Sequence, residues 1–529
     1  MNSRKKAPGR QAQGRLQAQK GGSSHRHGFH LGGDQAEAIR RALVALVLWL
    51  YSALTVQAAD RPNFLVILGE AQGWTSSSVQ MDDTLPASRS ELARTPHLEK
   101  LAAEGMRFAD FYAASPRCTP TRAALFTGRS PAALHMTFVG EGRKGGKGAG
   151  GGQGTGGEST FSETGSKLLP PDSSVELPES ETTIAEVLKR AGYATAHFGK
   201  WHVGRSHPSK YGFDESDGPT NNGGPEDVEN PNPKEAFGMT DRGIDFMTRQ
   251  VRAGKSFYLQ ISHYAGRGAL GARPETYASV RQRAKNDRDV RQVGSAAVTE
   301  DMDATIGMLL AKLDELGIAN RTYVIYTSDH GAQGRNANGP LKNGKGTVWE
   351  GGIRVPLMVR GPGIKAGACS HTEATTVDLF PTIAALARVT ETLPKDLEGG
   401  SLGAVLAGAP NATVKRPREE LVVHFPHYDK DETGPASAIL LGNLKLIHVY
   451  EANILLLFDL SKDLAEEHDL AGSMVTQAAA LDKRLTDYLT TVKAQMPVPN
   501  PSYDPSKAPP FQERRGGRPR VQFPSPAPL

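Results

Sequence analysis

Two cysteines in 529 residues exclude a fold held together by crosslinks, since an exported domain that relied on disulfides would carry more of them. A Cys118–Cys369 bond stays open on sequence alone. The apolar run from Ala42 to Leu54 falls short of the about 20 residues that span a bilayer. Gly140 to Gly157 is rich in glycine but lacks the fixed spacing ahead of a Lys-Ser/Thr pair, so it is no phosphate loop. It reads as a flexible insertion or lid. No internal repeat is visible. A basic footprint for nucleic acid is also missing. Residues 1 to 41 hold nine Lys or Arg against two Asp or Glu, a surplus of seven. The +5 of the whole chain therefore leaves −2 from Asp60 onward.

The remaining composition, 38% hydrophobic and 22% charged with 58 glycines, suits a loop-rich globular enzyme with a large core. The charge break at residue 41 has its own meaning. A basic segment, an apolar run and the small-residue stretch Val56-Gln57-Ala58-Ala59 follow in the order of a secretory signal. The expectation is export, to a periplasmic or secreted location, with cleavage near Ala58 or Ala59. Retention of segment 42–59 as a membrane anchor is the alternative, and the long basic region leaves the true start site open.

Past the leader, continuous apolar runs alternate with amphipathic segments. Phe64 to Leu68, Tyr193 to Phe198, Phe257 to Ser262 and Tyr323 to Thr327 read as strands buried on both faces of a mainly parallel sheet. Helices are expected after Thr95-Pro96 and from Thr183, where Glu186 completes a capping box. A long one carries Val298, Met302, Ile306, Leu309, Leu313 and Leu316 at helical spacing. From about Val414 short β-type runs precede a helix over about 473–494, a small antiparallel sheet with a packing helix. Residues from Pro497 read as an extended Pro-rich tail. The fold class is α/β, a large mixed, mainly parallel sheet flanked by helices with a smaller C-terminal antiparallel sheet. The domains read as a leader (1–59), a main domain (60–410), an α+β subdomain (411–495) and a tail (496–529).

Chemistry-bearing residues gather where the buried strands end, the edge at which open α/β sheets bind ligands. Glu70 follows the first strand and Lys200 and His202 the second. His263 follows the third, and Asp329-His330 the fourth. Lys200 and His202 straddle Trp201 and in extended chain point the same way, an anion clamp beside a proton carrier. Asp329 and His330 offer a carboxylate and an imidazole to a divalent metal. Lys342, Lys345 and Glu350 sit among glycines that let backbone approach an anion. Cys118-Thr119-Pro120-Thr121-Arg122 opens a run of helix formers, which places Cys118 and Arg122 one turn apart at a helix start where free N–H groups favour anions. An inert buried thiol is the other reading of Cys118.

In this order the segments resemble the type I sulfatases of the alkaline-phosphatase superfamily, from about Arg61 to Val389 and more weakly through Phe458-Asp459-Leu460. Cys118 to Arg122 fits the modification motif C-x-P-x-R. Gly192 to Gly204, Ser328 to Gly331, and Gly344 to Thr347 with Glu350 to Gly352 fit further family blocks. The resemblance implies that a formylglycine-generating enzyme oxidises Cys118 to formylglycine. One hydroxyl of the hydrated aldehyde then attacks the sulfur of a sulfate ester, and the other expels sulfate as the aldehyde re-forms. It further implies that Arg122 holds the hydrated aldehyde and Lys200 bridges it to sulfate. His202 serves the elimination and Lys345 binds sulfate oxygens. Glu70, Cys118, Asp329 and His330 form the implied set for one divalent ion, usually Ca2+ in the family. A sulfated carbohydrate or an aryl sulfate is the implied substrate. A phosphonate or phosphodiester hydrolase and a non-catalytic binder of sulfated glycan are the rivals.

Two departures stand out. The family usually places two consecutive Asp ligands after the first strand, where this chain has Glu70 and Ala71; Gln72 is a candidate to complete the shell. Arg267 aligns with the His that normally protonates the leaving alcohol, and a guanidinium cannot donate a proton at neutral pH. His263, four positions earlier, is one substitute and Lys345 the other.

Overall fold

The computed structural model describes residues 40–44, 61–139, 161–222, 235–265, 271–333, 337–429 and 434–507. Of the separate unit 1–56, the helical stretch Arg40–Val44 is described. The rest of the leader, the Gly-rich stretch 140–157 and Arg267 lie outside the described residues. Among the described residues no helix is long and apolar enough to cross a membrane.

The large sheet has eight strands. In chain order they are β1 (Asn63–Gly69), β2 (Met106–Phe108), β3 (Ala194–Gly199), β4 (Glu215–Ser216), β5 (Phe257–Ser262), β6 (Thr322–Ser328), β7 (Leu357–Arg360) and β8 (Ala368–Ser370). Their spatial order is β8-β2-β7-β6-β1-β5-β3-β4. All neighbours are parallel except β7, which runs antiparallel to both β2 and β6. Every residue of β1, β3, β5 and β6 is buried, so their apolar runs serve two faces. Each fully buried Val, Leu, Ile or Phe contributes about 1.5–3 kcal/mol.

Helices cover both faces. They include α1 (Pro96–Glu104), α2 (Cys118–Thr127), α3 (Ile184–Arg190), α4 (Ala236–Arg252) and the 29-residue α5 (Asp287–Glu315). The capping box at Thr183 and Glu186 is present. Met302, Ile306, Leu309 and Leu313 of α5 pack with Leu65 and Ile67 of β1 in one core, while Phe64, Val66 and Leu68 face the other. A four-stranded antiparallel sheet follows: β9 (Leu421–Phe425), β10 (Ala436–Leu441), β11 (Leu444–Val449) and β12 (Ile454–Asp459). Helix α6 (Val475–Thr491) covers one of its faces through Leu481, Leu485 and Leu489.

The described part of the tail expected from Pro497, residues 497–507, is held against the body of the protein. Val498–Pro499 pairs antiparallel with Leu168–Leu169, and the Asn500 amide donates to the carbonyls of Glu163 (2.8 Å) and Ser166 (2.7 Å). Proline is tolerated in such a two-residue edge pairing because it need not donate to the ladder. Both cysteines are free thiols.

Candidate active site

The register of the sheet assembles the site. Gly69 is opposite Ser328, and Gly199 opposite Ser262. Because Ser262 also lies opposite Leu68, Lys200 and His263 leave the sheet level with Gly69, and Glu70 and Asp329 leave it one residue further on, all at the same edge. Gly199 has φ +96°, and a Cβ there would lie 2.0 Å from the Ser262 carbonyl oxygen. Only glycine permits this exit from β3. The following turn puts His202 at φ +57°, so Lys200 and His202 are not the alternating extended pair expected; a left-handed turn presents them instead. Cys118 is the first residue of α2, after an extended Arg117, and Arg122 lies one turn on.

These residues form a sealed ionic cluster. Cys118, Arg122, Lys200, Asp329, His330 and Glu70 are all buried. Arg122 Nη2 is 3.0 Å from both Glu70 Oε2 and Asp329 Oδ2, while its Nη1 donates to the Lys200 carbonyl at 2.6 Å. Lys200 Nζ is 2.9 Å from Glu70 Oε2. Lys345 Nζ is 3.3 Å from Glu70 Oε1 and 3.5 Å from Cys118 Sγ. The thiol lies 3.3 Å from Glu70 Oε1 and 3.2 Å from His330 Nε2. Glu70 is thus the hub of the site, buried where a loop carboxylate would have been solvated.

Electrostatics follow from this packing. Burial pushes the Cys118 thiol up and Glu70 adds to it, but Lys200, Lys345 and His330 outweigh both and hold it well below its ordinary value. Burial also raises Glu70, and Lys200 and Lys345 reverse the effect, so it stays ionised. Asp329 is pushed up to about 7 by burial and then by the Glu70 charge. His202 is lowered to about 4 by burial and the Lys200 charge, and His263 to about 4 by burial and Arg122. Both imidazoles are therefore neutral near pH 7. The Cys118 side chain opposes the lowering of His202. Among the described residues, His202 Nδ1, His263 Nε2 and Arg122 Nε are buried without a partner, an unusual concentration of unmet hydrogen-bonding capacity.

The donor set fits a divalent ion. One ligand atom each from Glu70, Cys118, Asp329 and His330 lies within 4.8 Å of the others. His330 Nδ1 donates to the Gly331 carbonyl at 2.9 Å, which leaves the Nε2 lone pair facing the carboxylates, as a ligating imidazole requires. Ala71, at φ +55°, directs its backbone N–H to Asp329 Oδ1 at 3.1 Å. Gln72 does not complete the shell. Its side-chain carbonyl accepts from Thr299 at 2.8 Å and its amide reaches the Glu70 carbonyl at 3.4 Å, because the backbone bond from Gln72 to Ser328 Oγ (2.8 Å) turns the chain away. Lys342 and Glu350 also face elsewhere. Lys342 donates to the Glu466 carbonyl at 2.7 Å, and Glu350 pairs with Lys445 at 2.9 Å.

The structure adds two residues that the sequence pattern does not single out. Arg117 pairs through two bonds with Asp429, both buried, and the Gly346 amide donates to the Pro116 carbonyl at 3.0 Å. Asp429 also crowds Gly346, where a Cβ would lie 2.6 Å from its Oδ2. The pair fastens the Lys345 loop to the start of α2. Arg117 adjoins the Cys118 motif, and that adjacency is the only signal the sequence carries for it. Nothing local distinguishes Asp429.

Comparison with known proteins agrees with the geometry. The Sulfatase family model matches residues 62–389, and a model described as N-sulphoglucosamine sulphohydrolase, C-terminal, matches 343–495. Human N-acetylgalactosamine-6-sulfatase is 30% identical over 383 residues, which are 65% of this chain and 66% of that protein. The chain thus spans just under two thirds of that relative's length. Human arylsulfatase A is 29% identical over 519 residues, 85% of this chain and 91% of that protein. The solved structure of Ps i-CgsB in complex with k-i-k-neocarrahexaose superposes with a TM-score of 0.65 at 21% identity, covering 84% of this chain and 95% of that one.

Proposed function

Because the chain belongs to the sulfatase family, we propose that it hydrolyses a sulfate ester through a nucleophile derived from Cys118. The observation that carries this reading is the convergence of Arg122, Lys200 and Lys345 on Glu70 and Cys118 in one buried cluster. Three cations face two carboxylates there, so an arriving sulfate ester meets a surplus of positive charge. Preorganised charge of this kind, held in a site shut off from water, supplies most of the rate enhancement in many enzymes.

Conversion of Cys118 to formylglycine supplies, on hydration, two hydroxyls on one carbon, one to attack sulfur and one to assist release. Arg122 and Lys200 orient that group, since their side chains already reach Glu70 beside it. Lys345, 3.5 Å from the sulfur atom of Cys118, neutralises charge on sulfate oxygens. His202, neutral near pH 7 and electrostatically coupled to residue 118, accepts the hydroxyl proton during release. His263, neutral near pH 7, offers a free buried Nε2 as a hydrogen-bonding partner for the departing alcohol oxygen, and the protonated Lys345 is the acid that can supply its proton in place of the histidine with which Arg267 aligns. Glu70, Asp329 and His330 would hold a divalent ion that withdraws charge from the sulfate group. Calcium is the reading favoured by two carboxylates. A sulfated carbohydrate is the favoured substrate, and the leader supports an exported protein.

Mass spectrometry of the peptide containing Cys118, from protein produced with a formylglycine-generating enzyme, tests the nucleophile; an unmodified thiol would remove the mechanism. Rates on matched aryl sulfate and aryl phosphate esters test the reaction. Preference for phosphorus would transfer the assignment to a phosphoester hydrolase, and no turnover of either would favour a glycan-binding role.

A further inference from the structure

A second group of metal-ligating side chains lies outside the site around Cys118. Strand β8 pairs with β2 with Cys369 beside Arg107, and residues two apart on extended chain point the same way, so Cys369 and His371 project together. The loop before Pro86–Ser88 brings Asp83 to them. His371 Nε2 is 3.0 Å from Asp83 Oδ1 and 4.0 Å from Cys369 Sγ. One donor atom from each of the three lies within 4.8 Å of the others. In a tetrahedral zinc site, usual bond lengths place nitrogen about 3.3 Å from oxygen and about 3.5 Å from sulfur. The two separations from His371 straddle these values to within about half an ångström.

A second observation points to a ligand. The other ring nitrogen of His371, Nδ1, faces Asp110 Oδ2 at 3.8 Å, and Asp110 is itself held by Arg354 at 2.6 Å. As folded, Nε2 donates its N–H to Asp83; a metal at Nε2 would displace that proton, and the Asp110 carboxylate, too far from Nδ1 for a hydrogen bond as folded, is the acceptor toward which the retained Nδ1–H would turn, the arrangement behind ligating histidines. The Asp83 loop is prepared as well. Gln80 donates to the carbonyls of Asp82 (2.9 Å) and Asp83 (3.2 Å), Asp82 N–H reaches Ser88 Oγ at 3.0 Å, and the Cys369 thiol donates to the Met81 carbonyl at 3.4 Å. As a plain ion pair, Asp83 and His371 are 54% and 48% exposed and contribute at most about 1 kcal/mol, so stability alone does not account for the group. His371 and Asp110 also line a cleft of ≈ 980 Å³ whose lining includes none of the residues around Cys118.

We propose that Asp83, Cys369 and His371 form a second site for one divalent transition metal of zinc type, with the remaining coordination positions filled by water from the cleft. A thiol, an imidazole and a carboxylate select zinc or cobalt over calcium or magnesium. Binding releases the thiol proton to solvent, and thiolate plus carboxylate then balance the charge of the ion.

The test uses full-length protein carrying Cys118→Ala, which removes the other thiol. Titration with Co2+ should produce a thiolate-to-cobalt charge-transfer band that saturates at one equivalent and is bleached by Zn2+. Absence of the band would overturn the proposal. Adding Cys369→Ser should abolish the band, and His371→Gln should weaken binding at least tenfold, both with unchanged circular dichroism; a band that survives Cys369→Ser would also overturn it. As an independent readout, Zn2+ should protect Cys369 from alkylation in peptide mapping. Equal labelling with and without Zn2+ would count against the site.

Discussion

Two of the buried charge clusters among the described residues are built to opposite ends. Around Lys445, Nζ bridges Glu350 Oε1 (2.9 Å) and Glu466 Oε1 (2.8 Å) with all three side chains fully buried. Arg354 uses four of its five N–H donors on Glu350, Asp110, the Ala109 carbonyl and the Tyr112 hydroxyl. Both oxygens of Glu350 are matched. Around Cys118 three polar atoms on Arg122, His202 and His263 have no partner among the described residues. The first cluster is closed on its own charges, with Glu466 Oε1 held by the Lys445 ion pair without a hydrogen bond, and it ties the small sheet to the large one. The second carries hydrogen-bonding capacity that only an incoming group can satisfy. Unmet capacity, more than burial or charge, separates a site from a structural knot.

Mutations can break this contrast. Cys118→Ala should lower sulfate-ester turnover by about a thousandfold or more while leaving the thermal transition near wild type, because it removes the nucleophile and little else; steady-state kinetics and a melting curve check both halves. Lys445→Met should do the reverse. It leaves two carboxylates buried without their cation, at a cost of about 3–5 kcal/mol, read by urea denaturation, with the surviving folded protein still active. Ala71→Asp restores a second carboxylate next to Glu70 at a left-handed position that Asp tolerates better than most residues. It should raise Ca2+ affinity about tenfold, as a change in the ligand shell does, measured by calorimetry.

An effect confined to acid pH concerns His424, where Nε2 donates to the Gln495 carbonyl at 2.9 Å and Nδ1 accepts from Ser437 at 2.7 Å. Burial lowers this imidazole to about 4. The unfolded chain therefore binds the proton more readily between about pH 6.5 and about pH 4. Stability is full above this window and falls by about 1.4 kcal/mol per pH unit on acidification through it. A His424→Gln variant should show a shallower acid slope in melting temperature against pH.

Much of the site is legible in the sequence because buried parallel strands announce themselves as apolar runs and deliver whatever follows them to one edge. Glu70, Lys200, His263 and Asp329 are found that way, and Cys118 by its motif. What escapes has non-local causes. The rotation of Gln72 away from the cluster is imposed by Ser328 and Thr299, both more than two hundred residues distant. Asp429 matters only because Arg117 lies against it. The segment after Pro497 looks free because its partner, Leu168–Leu169, is a two-residue strand with no pattern of its own.

The depth of Cys118 has a consequence in time. Its side chain is 3% exposed in the folded chain, and Lys345, which helps close it in, lies 227 residues further along. At about 5–20 residues per second of synthesis, Lys345 emerges some ten to forty-five seconds after the cysteine. Any catalyst that must reach the thiol has that interval, before the later strands arrive, in which to work.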